Sequence, residues 1–170
     1  CLISSEGSLI ATYDKIHMFD VEVGDGQTYR ESSTYRPGER AVLAETPHAT
    51  LGLSICYDLR FPHLYRQLAQ NGAQILTCPA AFTKVTGEAH WHTLLRARAI
   101  ETGSYVIAPA QSGVHEDGRE TFGHSLVTDP WGQIVAESTV YGEDVILAEI
   151  DTAEVAAVRG RIPSLSKEQP

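Results

Sequence analysis

Basic residues are scarce. The 170-residue chain carries 13 Lys and Arg against 22 Asp and Glu, a formal charge of −9. A surface with so little positive field excludes nonspecific attachment to a phosphate backbone or to anionic lipid, so no nucleic acid is expected as a partner. Long apolar runs are also lacking. No stretch approaches 18 consecutive hydrophobic residues, and the start from Cys1 to Gly7 has neither a basic region nor a long apolar segment, so no membrane span and no secretory leader are expected. Cysteine is sparse and odd in number: Cys1, Cys56 and Cys78 show no C-x-x-C spacing, which argues against a disulfide scaffold and a cysteine zinc site and points to a reducing, cytoplasmic setting. Of the seven histidines, His90 and His92 stand two apart on an expected helix and point to different faces, while His17, His48, His63, His115 and His124 are scattered. No metal and no other cofactor is expected.

What remains has the profile of one ordinary globular domain, 42% hydrophobic with 14 glycines and 8 prolines. Position 1 is Cys rather than Met, and the first residues already read as strand, so the chain is expected to begin inside a domain. Leu2–Ile3 and 9–13 flank a polar turn and read as a hairpin that delivers Lys15 just past a strand end. Residues 21–40 are polar and aperiodic and predict a long surface loop. Leu51, Leu53 and Ile55 alternate as a strand, Pro62 opens a helix with Leu64, Tyr65, Leu68 and Ala69 on one face, and 74–78 form the next strand. Thr86 is expected to cap a second helix through Trp91, Leu94, Leu95, Ala99 and Ile100 to Gly103, before a strand at 105–108. Asp129-Pro130-Trp131-Gly132 is a type I turn joining two antiparallel strands. A further strand is expected at 145–150, a short segment capped by Asp151 at 152–158, and a charged tail from Arg159 that offers little core. The order of strands and helices is that of an α/β sandwich.

Cys56 is the chemical candidate, because a thiol where a strand gives way to a helix can be held near backbone donors and reach a carbonyl or nitrile carbon. By itself a cysteine in an apolar strand is more often buried core. The run Cys56-Tyr57-Asp58-Leu59-Arg60 places an acid and a base directly after the thiol, which suits the rim of a pocket better than a core. Lys15 reads either as a solvated lysine offset by Asp14 or Asp20, or as a charge that favours thiolate and an oxyanion. Glu31 alone is a loop carboxylate.

Taken together, 13–20, 30–38, 54–62, Ala89-His90-Trp91 with 95–101, and Gly123-His124-Ser125 leading to Asp129-Pro130-Trp131-Gly132 resemble the nitrilase superfamily of carbon–nitrogen hydrolases, in the branch of the deaminated glutathione amidases and ω-amidases. The resemblance implies a four-layer αββα sandwich, here without its N-terminal portion, with residues 1–163 a partial domain and 164–170 a C-terminal tail. It matches Cys56 to the nucleophile, Lys15 to the lysine that supports the tetrahedral intermediate, and Glu31 to an additional glutamate beside them. The family's general-base glutamate belongs to a segment upstream of the first hairpin. Tyr57 and Arg60 are expected to meet substrate, Arg60 through a substrate carboxylate or else in an ion pair with Asp58 or a loop carboxylate. The implied reaction is hydrolysis of a small carboxylate-bearing amide through a cysteine thioester, releasing ammonia. Two other readings stay open: a nitrilase, and a catalytically incomplete fragment with an interaction role. A homo-oligomer is expected of the full-length form.

Overall fold

The computed structural model describes residues 1–167; the last part of the expected tail, 168–170, lies outside them. Strand periodicity from the middle of the chain builds a six-stranded mixed sheet. Its strands are β5 (Val42–Glu45), β6 (Thr50–Leu53), β7 (Ile75–Thr77), β8 (Tyr105–Ala108), β11 (Leu126–Thr128) and β12 (Ile134–Glu137). They lie in the order β12-β11-β8-β7-β6-β5. The central β6, β7 and β8 run parallel, with antiparallel neighbours on both sides. The parallel strands are joined by α1 (Pro62–Gln70) and α2 (Lys84–Thr102). The α/β class expected from the sequence is the one observed.

Successive residues of a strand face opposite sides of the sheet, and two apolar clusters follow from that alternation. Leu76, Val106, Ala108 and Leu126 meet Leu64, Tyr65 and Leu68 of α1 and Trp91, Leu95 and Ala99 of α2. On the other face Ile75 and Tyr105 join Ala49 and Val155, with Leu51 packed alongside. The alternating leucines of β6 therefore turn away from the two crossover helices, and the residue beneath α1 is Gly52. A Cβ there would stand 2.8 Å from Leu76 Cδ2 and 3.1 Å from Leu68 Cβ, so the helix can approach only over a glycine.

Three two-stranded hairpins stand outside the sheet. β1 (Leu2–Ile3) pairs with β2 (Leu9–Ala11) as expected, β3 (Asp20–Glu22) with β4 (Thr28–Arg30), and β9 (Ser112–Val114) with β10 (Glu120–Phe122). Residues 21–40 are thus not the continuous loop expected: they hold most of a hairpin and a 3-10 turn at Glu31–Ser33. Thr83, not Thr86, precedes α2, and the two hydroxyls lie 2.7 Å apart in the first turn. Gly103 closes that helix with φ 56, the left-handed conformation glycine adopts at least cost. Ile100 of that helix is half exposed. The strand expected at 145–150 does not form: no strand pairs with it among the described residues, and Val145 and Leu147 are 83% and 89% exposed. Asp151 does cap a helix, accepting from Ala153 N–H, but that helix, α3 (Thr152–Arg161), runs past 158. Arg159 is docked rather than loose, donating to Thr102 O, Ala73 O and Ser104 Oγ at 3.0, 2.6 and 2.8 Å.

Candidate active site

A broad cavity of about 1410 Å³ opens beyond the carboxyl ends of the three parallel strands. This is where open α/β sheets place ligands, because the loops leaving adjacent strands diverge there. Its floor comes from the residues after each strand: Cys56 after β6, Pro79 and Ala80 after β7, and Pro109 and Ala110 after β8. Backbone bonds lock these loops in register, Cys56 N–H to Pro79 O at 2.9 Å and Ala80 N–H to Pro109 O at 2.9 Å.

Cys56 opens a 3-10 helix, Cys56–Arg60, and has φ 49. Only Cys56 and His124 among the described non-glycine residues have positive φ, and both line the cavity. Such a conformation costs on the order of 1–3 kcal/mol and persists only where the surroundings impose it. Here the imposing group is Asp58, fully buried, whose carboxylate accepts Ile55 N–H at 2.9 Å and so closes the turn around the cysteine. The same carboxylate accepts the Tyr13 hydroxyl at 2.7 Å and His17 N–H at 3.0 Å, with His17 Nδ1 2.7 Å away. The segment that carries Lys15 is thereby tied to the turn that carries Cys56. From the other side, the buried Arg98 of α2 donates to Leu59 O at 3.0 Å.

Lys15 and Glu31 line the same cavity as Cys56, and the Lys15 ammonium pairs directly with Glu31 Oε2. That oxygen also accepts Phe19 N–H at 2.6 Å, so the carboxylate is held from two directions. The Cys56 thiol is pushed above the ordinary cysteine range, first by burial. The backbone N–H groups of Ala81 and Tyr57 and the Lys15 charge pull it down, and Glu31 opposes them. The lysine acts in the direction expected from the sequence, yet burial outweighs it and the net shift is upward.

Tyr57 and Arg60 are placed differently. Neither side chain lines the cavity. The Tyr57 ring packs edge-on against Phe19 and Phe61, with centroids 5.0 and 5.4 Å away. The Arg60 guanidinium lies 5.1 Å from the Phe82 ring centroid and 3.3 Å from His90 Nδ1, and Asp58 is committed elsewhere, so the Arg60–Asp58 pair, one of the alternatives left open by the sequence, is not made. The cations on the cavity wall besides Lys15 are Arg30 of β4 and Arg119 of the β9–β10 turn. Sequence reasoning gave neither a role: Arg30 only opens the matching stretch 30–38, Arg119 sits in no motif, and the hairpins bring both to the rim.

Residues 1–160 match the family model described as carbon–nitrogen hydrolase. The chain belongs to that family. It is 48% identical over 165 residues to the deaminated glutathione amidase of Yersinia enterocolitica, covering 96% of the present chain and 57% of that relative. It thus spans a little over half the length of the curated relative. Among solved structures, the C. elegans NitFhit protein superposes with a TM-score of 0.91 at 45% identity over 98% of this chain and 40% of that one. An amidase from Nesterenkonia sp. AN1, a glutamate mutant whose active-site cysteine carries the covalently added acetamide moiety of fluoroacetamide, superposes with a TM-score of 0.75 at 26% identity, covering 96% and 58%. The mixed sheet with flanking helices is the nitrilase-type α/β fold. No helix of the described residues is long and apolar enough to cross a membrane.

Proposed function

We propose that Cys56 is the nucleophile of an amidase acting on a small carboxylate-bearing amide, such as deaminated glutathione or an ω-amide. One observation carries the reading: Cys56 sits on a left-handed turn with the N–H groups of Tyr57 and Ala81 at its sulfur, in the cavity that also holds the Lys15–Glu31 pair. The names of the amidase relatives support an amide over a nitrile.

The reaction begins when a carboxylate takes the thiol proton and Sγ attacks the amide carbonyl. Negative charge grows on the carbonyl oxygen, where the Lys15 ammonium and a backbone N–H stabilise it. The nitrogen receives the proton and leaves as ammonia, and water then cleaves the thioester to give the acid and restore the thiol. Glu31 is the positioning residue for Lys15; with Lys15 and Phe19 N–H both on one of its oxygens, it is poorly free to act as the base. That role belongs, on the family resemblance, to a glutamate in the part of the family domain that comes before the first hairpin. Arg30 and Arg119 are the wall cations available to a substrate carboxylate, a task expected of Arg60 from the sequence. The free thiols fit a cytoplasmic setting, and the exposed apolar residues Val145 and Leu147 fit a homo-oligomer.

The test is ammonia release from an ω-amide by the chain itself and by a version extended with the residues encoded before Cys1, each with and without Cys56→Ala. The reading predicts activity in the extended protein that Cys56→Ala abolishes. Full activity in the Cys56→Ala protein would overturn the mechanism, and an extended protein inert toward amides but active on nitriles would overturn the substrate class.

A further inference from the structure

His92, His124 and Glu137 converge from three separate elements. His92 lies on α2, His124 precedes β11, and Glu137 ends β12. Glu137 Oε1 is 2.7 Å from His92 Nε2 and 2.7 Å from His124 Nδ1, and the three donor atoms all lie within 4.8 Å of one another. Each side chain is only part-buried, at 32%, 29% and 24% exposure, so solvent and ions reach the cluster.

We propose that these three side chains, of which His124 also lines the cavity that holds Cys56, form a binding site for a divalent transition-metal ion. Two imidazoles and one carboxylate are a donor set suited to Zn²⁺ and its neighbours, with a fourth position left to water. With bonds of about 2.0–2.1 Å, a tetrahedral ion holds neighbouring donors about 3.3 Å apart. The observed separations, from 2.7 Å to no more than 4.8 Å, bracket that spacing. Small side-chain rotations therefore complete the site, and the imidazole nitrogens that face Glu137 must present lone pairs to the ion.

The backbone around the cluster is already fixed. Trp91, beside His92 and fully buried, donates its indole N–H to His124 O at 2.8 Å, so helix and loop cannot separate. His124 is held at φ 57, and its ring stacks on Phe122 with centroids 4.3 Å apart. A strained residue clamped by packing directs its ring nitrogen at one point, and strain of this kind concentrates at ligand sites.

The experiment is Co²⁺ and Zn²⁺ titration of the chain and of its upstream-extended version, read by cobalt d–d absorption and by equilibrium dialysis. One equivalent of ion is expected, without the intense sulfur-to-cobalt charge-transfer band of a thiolate ligand. Affinity is expected to fall at least 30-fold in His92→Ala and in Glu137→Ala, and to be unchanged in Cys56→Ser. The conservative His92→Gln and Glu137→Gln proteins, with circular dichroism to confirm folding, guard against loss through misfolding and are expected to lose at least tenfold. Absence of binding at 1 mM ion, retention of affinity in all four folded variants, or loss in Cys56→Ser would each overturn the proposal, leaving the cluster a hydrogen-bonded clamp or the ion on a thiol.

Discussion

The buried carboxylate of Asp58 accepts the hydroxyl of Tyr13 at 2.7 Å while closing the turn around Cys56, so one side chain ties that turn to the segment carrying Lys15. Removing a group of this kind leaves several buried donors without a partner. Asp58→Ala is expected to lower the unfolding free energy by about 3–5 kcal/mol, the range for breaking one member of a buried charged network. Asp58→Asn, which keeps the shape and one acceptor oxygen, should lose less. Urea denaturation of both variants measures this; a loss below about 1 kcal/mol in the alanine variant would mean the network is not an anchor.

Lys15 and Glu31 should separate in kinetics. In the upstream-extended protein, Lys15→Met is expected to lower kcat for an ω-amide by about 10²–10³, the usual effect of losing one oxyanion donor. Glu31→Gln leaves the ammonium in place but less well held, so a smaller fall in kcat with nearly constant KM is expected. Equal losses in the two variants would point to Glu31 touching the reacting atoms itself.

The thiol of Cys56 gives a pH readout. Because burial raises it, its alkylation by iodoacetamide should climb with pH to a midpoint above the ordinary cysteine value of about 8.5. Lys15→Met should move that midpoint further up and Glu31→Gln should move it down, since the first removes a positive and the second a negative charge nearby. The linkage has a definite sign: a thiol that holds its proton more tightly in the folded chain supports folding below the unfolded value, and that support is lost as pH rises beyond it. Cys78, fully buried and pushed up to about 12, should stay unmodified until the chain unfolds. Site-resolved mass spectrometry distinguishes the two from the exposed Cys1.

Gly87 reverses an ordinary rule. Within an exposed helix, Gly→Ala stabilises by up to about 1 kcal/mol. At Gly87 of α2 an added methyl would run into Phe122 of β10. Gly87→Ala should therefore destabilise, and a rise in Tm would show that Phe122 has room to move.

Long, strongly patterned elements were legible from sequence. The face of α1 carrying Leu64, Tyr65, Leu68 and Ala69 is buried as its spacing predicts, and β8 occupies the four residues expected. The β3–β4 hairpin was not legible, because strands of three residues are too short to display a period. At 145–150 the apolar alternation is present but its partner strand is not among the described residues, and a strand is a property of pairs. At the candidate site, the neighbours of Cys56 in sequence were the signal that singled it out. The roles of Asp58 and of the His92–His124–Glu137 cluster depend on contacts spanning up to 45 residues, which no local pattern records.

The cavity's floor and rim come from different kinds of structure. Cys56, Pro79 and Pro109 leave strands of the six-stranded sheet, whereas Arg30 and Arg119 ride on hairpins that share no ladder with it. Under the proposed amidase reading, substitution, lengthening or replacement of those hairpins is expected to change which amide is admitted without disturbing the packed layers that hold the thiol in place. On that reading, reaction chemistry and substrate choice are carried by separable parts of the chain, and the rim is the part on which selection, natural or in the laboratory, can act at least cost to folding.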